Sequence, residues 1–272
     1  MPPVKRITVP NATFQQYEAL LHNRRKRSRT GLFLVEGVRA VNEALATGWP
    51  LHAVVFSAGV RSHWAEEIIA RLEHLERYEL SPELMEQLSD KDDPSELILV
   101  AHMRDAAVRD IALGENALAV VMDRPGNPGN LGSILRSCDA FGSDVVALTG
   151  HGADLFDPQT VRASVGTVFS RPVVRAQSHR VVAQLRDRMG ARAQVVGTSA
   201  KGEVALAEVD FTRPTVLVMG NESTGMSENY RALCDVVASI PIAGSASSLN
   251  VACATSVCLY EIVRQRSLPG QD

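Results

Sequence analysis

Hydrophobic and polar positions along this chain switch repeatedly between a period of two and a period near 3.6, and the switches outline a succession of strands and helices. Apolar, β-branched runs predict strands over 33–35, 51–56, 97–101, 117–122, 144–148, 194–197, 215–219 and 236–240. Helical spacing predicts one polar helix over 13–28, broken by Thr30 and Gly31, and a second carried by Ala40, Val41, Ala44 and Leu45 with Gly48 as its stop. Further helices are expected over 64–75, 129–141, 180–189 and 248–264. The alternation implies a small α/β unit followed by a larger α/β unit, whose mostly parallel sheet carries helices on both faces. The stretch from Ser89 to Ser95 is too polar for a core and reads as a loop. These breaks divide the chain into an N-terminal domain over 1–104, a linker over 105–116 and a C-terminal domain over 117–272. Because threaded chains are rare among folds, the pattern alone gives an open, unknotted sheet.

Composition narrows this picture a little. A length of 272 residues with 45% hydrophobic content suits two modest domains with sizeable cores. The longest apolar runs fall far short of the roughly 20 residues a membrane span requires, and the N-terminus lacks a signal-peptide apolar core, so a cytoplasmic protein is expected. Cys138, Cys234, Cys253 and Cys258 show neither zinc-ligand pairing nor disulfide density, and read as reduced thiols packed as small hydrophobes, with no metal expected. A net charge of −3 favours no polyanionic partner, but its distribution does. Within 1–35, Lys5, Arg6, Arg24, Arg25, Lys26, Arg27 and Arg29 stand against Glu18 alone. The cluster from Arg24 to Arg29 has the charge to neutralise several phosphates, which would give salt-sensitive affinity for RNA; the competing reading is a solvated helix end.

Three segments of the second half concentrate the chemistry: 127–136, 219–225 and 240–250. Each places glycine or small polar residues where a strand should end, which is where ligands of α/β sheets bind. Two of them also open a helical pattern, so free backbone N–H groups should face the same crevice. Arg136, in an otherwise small and apolar helix, requires a partner or an opening to a site; Asp139 and Asp144 are the candidate partners. It lies about 240° further round a helix than Asn130, which is therefore expected in the preceding turn. Glu222, between Gly220 and Gly225, is placed to receive hydrogen bonds, and Ser248 and Asn250 have the chemistry of helix caps. Ile240 and Leu249 alone would read as core residues. Asp157-Pro158 reads as a helix start, and Gly150-His151-Gly152, lacking a third glycine and a following helix, as a turn.

The order Asn-x-Gly-x-Ile-x-Arg from Asn130, Gly-x-Glu-x-x-Gly from Gly220 and Ile-Pro-x-x-Gly-x-x-x-Ser-Leu-Asn from Ile240 resembles the three motifs of the SpoU RNA ribose 2′-O-methyltransferases of the SPOUT class. Upstream, the run from Arg24 to Gly37 is similar to the start of the substrate-binding domain many members carry, so the resemblance covers nearly the whole chain. It implies a SPOUT-type, mostly parallel α/β sheet with a C-terminal trefoil knot, preceded by a small α/β RNA-binding domain of the ribosomal L30e type. It implies S-adenosyl-L-methionine as cofactor, held by backbone groups of Gly220, Ile240 and Leu249. Arg136 would activate the 2′-hydroxyl, either by stabilising the developing alkoxide or by transient deprotonation. Glu222 would position, Asn130 and Asn250 would shape the site, and Ser248 would lie near cofactor or hydroxyl. Arg162 and Ser164 echo a segment that faces RNA. The implied substrate is structured RNA, first of all 23S rRNA, with transfer RNA or non-catalytic RNA binding as alternatives; the implied partner is a second copy of the chain, with no DNA and no membrane. Antibiotic resistance and housekeeping modification both stay open.

Overall fold

The computed structural model describes residues 2–89, 91 and 93–268, so residues 90 and 92 of the expected loop at 89–95 lie outside the described residues. Apolar, β-branched runs form the central strands as expected. The first unit contains β1 (Val4–Ile7), α1 (Ala12–His22), α2 (Arg24–Thr30), β2 (Leu32–Glu36), α3 (Val38–Ala46), β3 (Leu51–Ser57), α4 (His63–Arg71), β4 (Glu76–Leu80), α5 (Pro82–Leu88) and β5 (Leu97–His102). Its strands lie in the order β1-β4-β3-β5-β2. β1, β4 and β3 run parallel, whereas β5 is antiparallel to both β3 and β2. Phe14, Tyr17, Leu20 and Leu21 form the buried stripe of α1 and share a core with Leu34, Val55 and Ile98 of the sheet.

Helix α5 was not expected from the pattern, and two further departures have a local cause. The single helix expected over 13–28 is two, because the Asn23 side chain accepts from Lys26 N at 3.0 Å and starts a new helix instead of continuing the old one. β1 and β4 are rich in charged residues and carry little apolar signal; β1 is an edge strand, where charge blunts further pairing.

The second unit begins with β6 (Leu118–Asp123), α6 (Pro128–Ala140) and β7 (Val145–Thr149). The chain then forms α7 (Pro158–Ala163) and α8 (Thr167–Ser170), followed by β8 (Val173–Ala176), α9 (Arg180–Met189), β9 (Gln194–Thr198) and β10 (Val204–Ala205). β11 (Thr215–Met219), α10 (Glu228–Arg231), β12 (Val236–Ser239) and α11 (Val251–Arg266) complete it. The seven strands lie in the order β10-β12-β9-β11-β6-β7-β8, and every pairing is parallel. Burial on both faces explains why β6, β7 and β11 read as continuous apolar runs.

The compact units do not follow the expected division of the chain. Residues 1–104 group with 154–170, and 105–153 with 171–272. The segment 154–170, expected within the C-terminal domain, is held to the first unit by charge and by aromatic packing. Arg27, only 2% exposed, donates from Nε to Asp154 at 2.9 Å, from Nη2 to Asp157 at 2.9 Å, and from Nη1 to the carbonyls of Leu20 and Leu21. Phe156 packs on Phe33 with 4.6 Å between ring centroids. Arg27 is therefore corrected from an RNA contact to a buried strut. Ser164 is corrected likewise: it is fully buried, and its hydroxyl donates to the Val161 carbonyl at 2.7 Å. Among the described residues no helix is long and apolar enough to cross a membrane.

Candidate active site

β6 ends at Asp123, which is buried, and the chain turns at Arg124 with φ 54°, a left-handed conformation uncommon outside glycine. Arg124 is held there by a bidentate pair, Nε and Nη2 donating to the Asp123 carboxylate at 2.8 and 3.1 Å. Asp123 also accepts from Ser227 N at 2.8 Å. Burial alone would raise its pKa, but these bonds from Arg124 and Ser227 outweigh it and hold the carboxyl below its ordinary value. Asn127 then caps α6, accepting from Asn130 N at 2.9 Å, with Pro128 in the first helical position. Asn130 thus lies inside the first turn of α6, not before it as expected.

Beside β6 in the sheet, β11 runs into Gly220, where a Cβ would sit 2.2 Å from Met226 N, so the close backbone approach requires glycine. The turn that follows is closed by Asn221 and Gly225, which exchange backbone hydrogen bonds at 3.0 and 2.9 Å. The Asn221 side chain accepts from Ser223 N and Thr224 N and donates to the Arg124 carbonyl at 2.7 Å. This tie places Glu222 at the N-terminus of α6. Its carboxylate accepts from Gly126 N at 2.8 Å, from Asn127 N at 3.2 Å and from Asn130 Nδ2 at 3.2 Å. Burial would raise the Glu222 pKa, yet the bonds from Gly126, Asn130 and Asn127 together hold it below the usual carboxylate value. On its other side Asn130 accepts from Asn250 Nδ2 at 3.1 Å, while Asn250 Oδ1 caps α11 by accepting from Ala252 N at 2.8 Å. One hydrogen-bonded line, Asn250 to Asn130 to Glu222, therefore joins all three segments.

Arg136 is exposed on α6 and has no hydrogen-bond or ion-pair partner among the described residues. Both candidate partners are engaged elsewhere: Asp139 accepts from Arg171 Nε at 2.8 Å, and Asp144 from Leu118 N at 2.7 Å. Ser137, the next residue, meets Ser256 of α11 at 2.8 Å, which locks the two helices together beside it. The backbone of 241–249 makes no hydrogen bond to other described residues, and a Cβ at Gly244 would meet nothing within 4 Å. Ile240 is half-buried at the start of this open strap, and Leu249 is 42% exposed at its end. Ser248 is exposed and outside the hydrogen-bonded line; the cap of α11 is Asn250. In the first unit Arg24, Arg25 and Arg29 are exposed and Lys26 half-buried; Arg162 is exposed on α7.

Asp123, Asn127 and Asn221 were not singled out from sequence. Asn127 before Pro128 is a readable cap signal. Asn221 reaches the distant Arg124 carbonyl and Asp123 the distant Ser227 N, contacts for which local sequence carries no sign.

A family described as the SpoU rRNA Methylase family matches residues 117–260, and the SpoU L30e-like domain matches 11–100. Over 97% of its length the chain is 44% identical to the 23S rRNA (uridine(2479)-2′-O)-methyltransferase of Streptomyces viridochromogenes, covering 94% of that protein. It is 29% identical to the 23S rRNA (guanosine(2553)-2′-O)-methyltransferase RlmP of Bacillus subtilis, over 89% of this chain and 92% of that one. Among solved structures it is similar to the SpoU methyltransferase AviRb from Streptomyces viridochromogenes in complex with the cofactor AdoMet, with a TM-score of 0.89 and 43% identity, covering 94% of this chain and 98% of that one. The AdoMet-bound rRNA methyltransferase from Sinorhizobium meliloti superimposes with a TM-score of 0.87 at 32% identity, over 97% and 99% of the two chains.

Proposed function

This chain belongs to the SpoU rRNA methylase family, and from that premise we propose that it methylates a ribose 2′-hydroxyl of 23S rRNA with S-adenosyl-L-methionine as donor. The observation that carries the reading is the convergence of three strand-end segments on one line of hydrogen bonds beside an unpaired arginine, Arg136.

The residues present fit the cofactor. The strap 241–249 offers unpaired backbone donors and acceptors around an open glycine, and Leu249 offers an exposed apolar side chain. Gly220, Ile240 and Leu249 would hold it, by backbone contacts that specify an adenosine moiety without charged side chains. When bound, the cofactor supplies an electrophilic methyl group. The protein's part is then positioning and charge. Glu222, ionised and saturated with hydrogen bonds, fixes the N-terminus of α6 and so fixes where Arg136 projects. Arg136, exposed to solvent, stabilises negative charge as the 2′-hydroxyl loses its proton to water; a guanidinium with pKa above about 12 suits that electrostatic role better than that of a resting base.

The exposed Arg25 and Arg29 of α2, with the half-buried Lys26 between them, supply phosphate contacts in the substrate-binding unit, and Arg24 and Arg162 add to the same charge. The C-terminal segment is threaded as a trefoil knot, as in the SPOUT class. The protein is a cytoplasmic homodimer. Val257 at 39% and Tyr260 at 58% exposure leave an apolar stripe on α11 that a second copy would cover.

The test is transfer of labelled methyl groups to purified 23S, 16S and transfer RNA, with primer-extension mapping of the product. A single 2′-O-methyl stop in 23S rRNA, absent with Arg136→Ala, is the expected result. Its position decides between a resistance and a housekeeping role. No transfer and no calorimetric binding of S-adenosylmethionine would overturn the reading in favour of a non-catalytic RNA-binding protein.

A further inference from the structure

At one end of the first unit's sheet, the starts of β2 and β3 lie beside the finish of β5, with Leu32 opposite His102 and Leu51 opposite Ala101. The register with β5 passes from Leu51 to Ala53, leaving His52 as an extra residue in a bulge, a device that re-aims a side chain. The His52 ring lies edge-on to His102, 5.5 Å between centroids, and 6.4 Å from Tyr17 of α1. Neither imidazole hydrogen-bonds to another described residue, and His102 is exposed.

The basic helix ends at the same place. Gly31 caps α2, and its carbonyl accepts from Met103 N at 2.7 Å, directly after His102. Trp49, half-buried, donates from Nε1 to the His102 carbonyl at 2.8 Å. The C-terminal end of the basic helix α2 thus lies beside His102, at the same sheet end as the two imidazoles and Trp49. The carboxylate facing His52, Glu76, is already ion-paired with Lys5. Clustered cations interleaved with rings complement the phosphates and bases of an unpaired RNA strand.

We propose that His52 and His102, together with Arg25, Lys26 and Arg29, form one surface that grips the RNA substrate, and that the imidazole pair engages phosphate in its protonated form. The inference rests on the RNA methyltransferase reading and assigns its substrate unit a proton-linked contact. The groups facing His52 are Tyr17 from α1, Glu76 from β4 and His102 from β5, with Tyr78 packed on Tyr17 and Lys5 of β1 ion-paired to Glu76. In the free protein, burial first and His102 second hold His52 below its ordinary pKa, against an opposing pull from Glu76. A phosphate reverses this balance by favouring the charged ring, so RNA binding takes up protons. Affinity therefore rises as pH falls through the histidine range, around 6.5 and below.

The experiment is filter binding of the full-length protein to a protein-free 23S rRNA transcript at fixed ionic strength, at pH 7.5 and 5.5. Wild type should bind about fivefold or more tightly at the lower pH, the effect expected when one or two phosphate contacts gain charge. The double variant His52→Gln/His102→Gln should lose most of that ratio while keeping calorimetric affinity for S-adenosylmethionine, and should raise KM for RNA without lowering kcat. If the double variant loses cofactor affinity as well, the single variant His102→Gln, at an exposed position, decides, since it too must reduce the ratio. A pH ratio equal to wild type in these variants overturns the inference and leaves the methyltransferase reading standing. Conversely, proton-linked RNA binding without any methyl transfer overturns that reading and leaves the surface standing.

Discussion

Asn250 Nδ2 donates to Asn130 Oδ1 at 3.1 Å across 120 residues of chain, and each asparagine sits at the start of a helix. The pair makes the openings of α6 and α11 a single polar edge, since Asn130 passes the contact on to Glu222 and Asn250 caps α11. Replacing either with alanine should weaken cofactor binding and lower stability by about 0.5–1.5 kcal/mol, the usual net worth of a hydrogen bond or cap. Their double-mutant cycle should be non-additive. Calorimetry on the four proteins checks this; strict additivity would mean the contact carries no energy.

Glu222 sets a pH dependence. Its pKa in the fold lies below that of an unfolded glutamate, about 4.3. A depressed folded pKa contributes stability that is complete above the unfolded value and is lost as pH falls through the folded one. Asp123 acts in the same sense. Wild type should therefore lose thermal stability progressively below about pH 4.5, as the unfolded-state carboxyls begin to bind protons. Glu222→Gln should already be less stable at pH 7 and should show a shallower decline, which a pair of melting curves against pH will read.

Arg136 is unpaired at the site, so removing it should spare the fold. Arg136→Ala should reduce methyl transfer by about a hundredfold or more, the scale of losing one oxyanion-stabilising group, while cofactor affinity and melting temperature stay near wild type. Arg136→Lys should recover part of the rate, since an ammonium supplies charge without the guanidinium's geometry. Parallel loss of rate and cofactor affinity would show that the residue holds cofactor instead.

Arg27 and Arg25 are two residues apart on one helix and should behave oppositely. Arg27→Met leaves Asp154 and Asp157 without their cation and should destabilise the first unit by about 3–5 kcal/mol, the range for breaking a buried pair. Arg25→Ala should leave stability unchanged, weaken RNA binding and reduce the slope of log affinity against log salt by about one. Denaturation and salt-titrated filter binding separate the two.

Local pattern and motif chemistry are legible in the chain before it folds. The apolar runs of β6, β7 and β11 are legible because strands buried on both faces must be continuously hydrophobic, and the three motif segments because sharp turns at strand ends demand glycine, proline and small polar residues. Asn250 was readable as a cap for the same local reason. Tertiary structure decided everything that depends on which distant groups meet. Arg27 looks like its neighbours in a basic run, yet it is buried because Asp154 and Asp157 lie opposite it, and no local signal distinguishes it from Arg25. Those same contacts draw residues 154–170 out of the expected C-terminal domain and into the first unit. His52 reads as an ordinary strand position until pairing with β5 leaves it in a bulge. Periodicity reports which face of an element is buried; what buries it, and which polar groups find one another there, is fixed only when the chain folds.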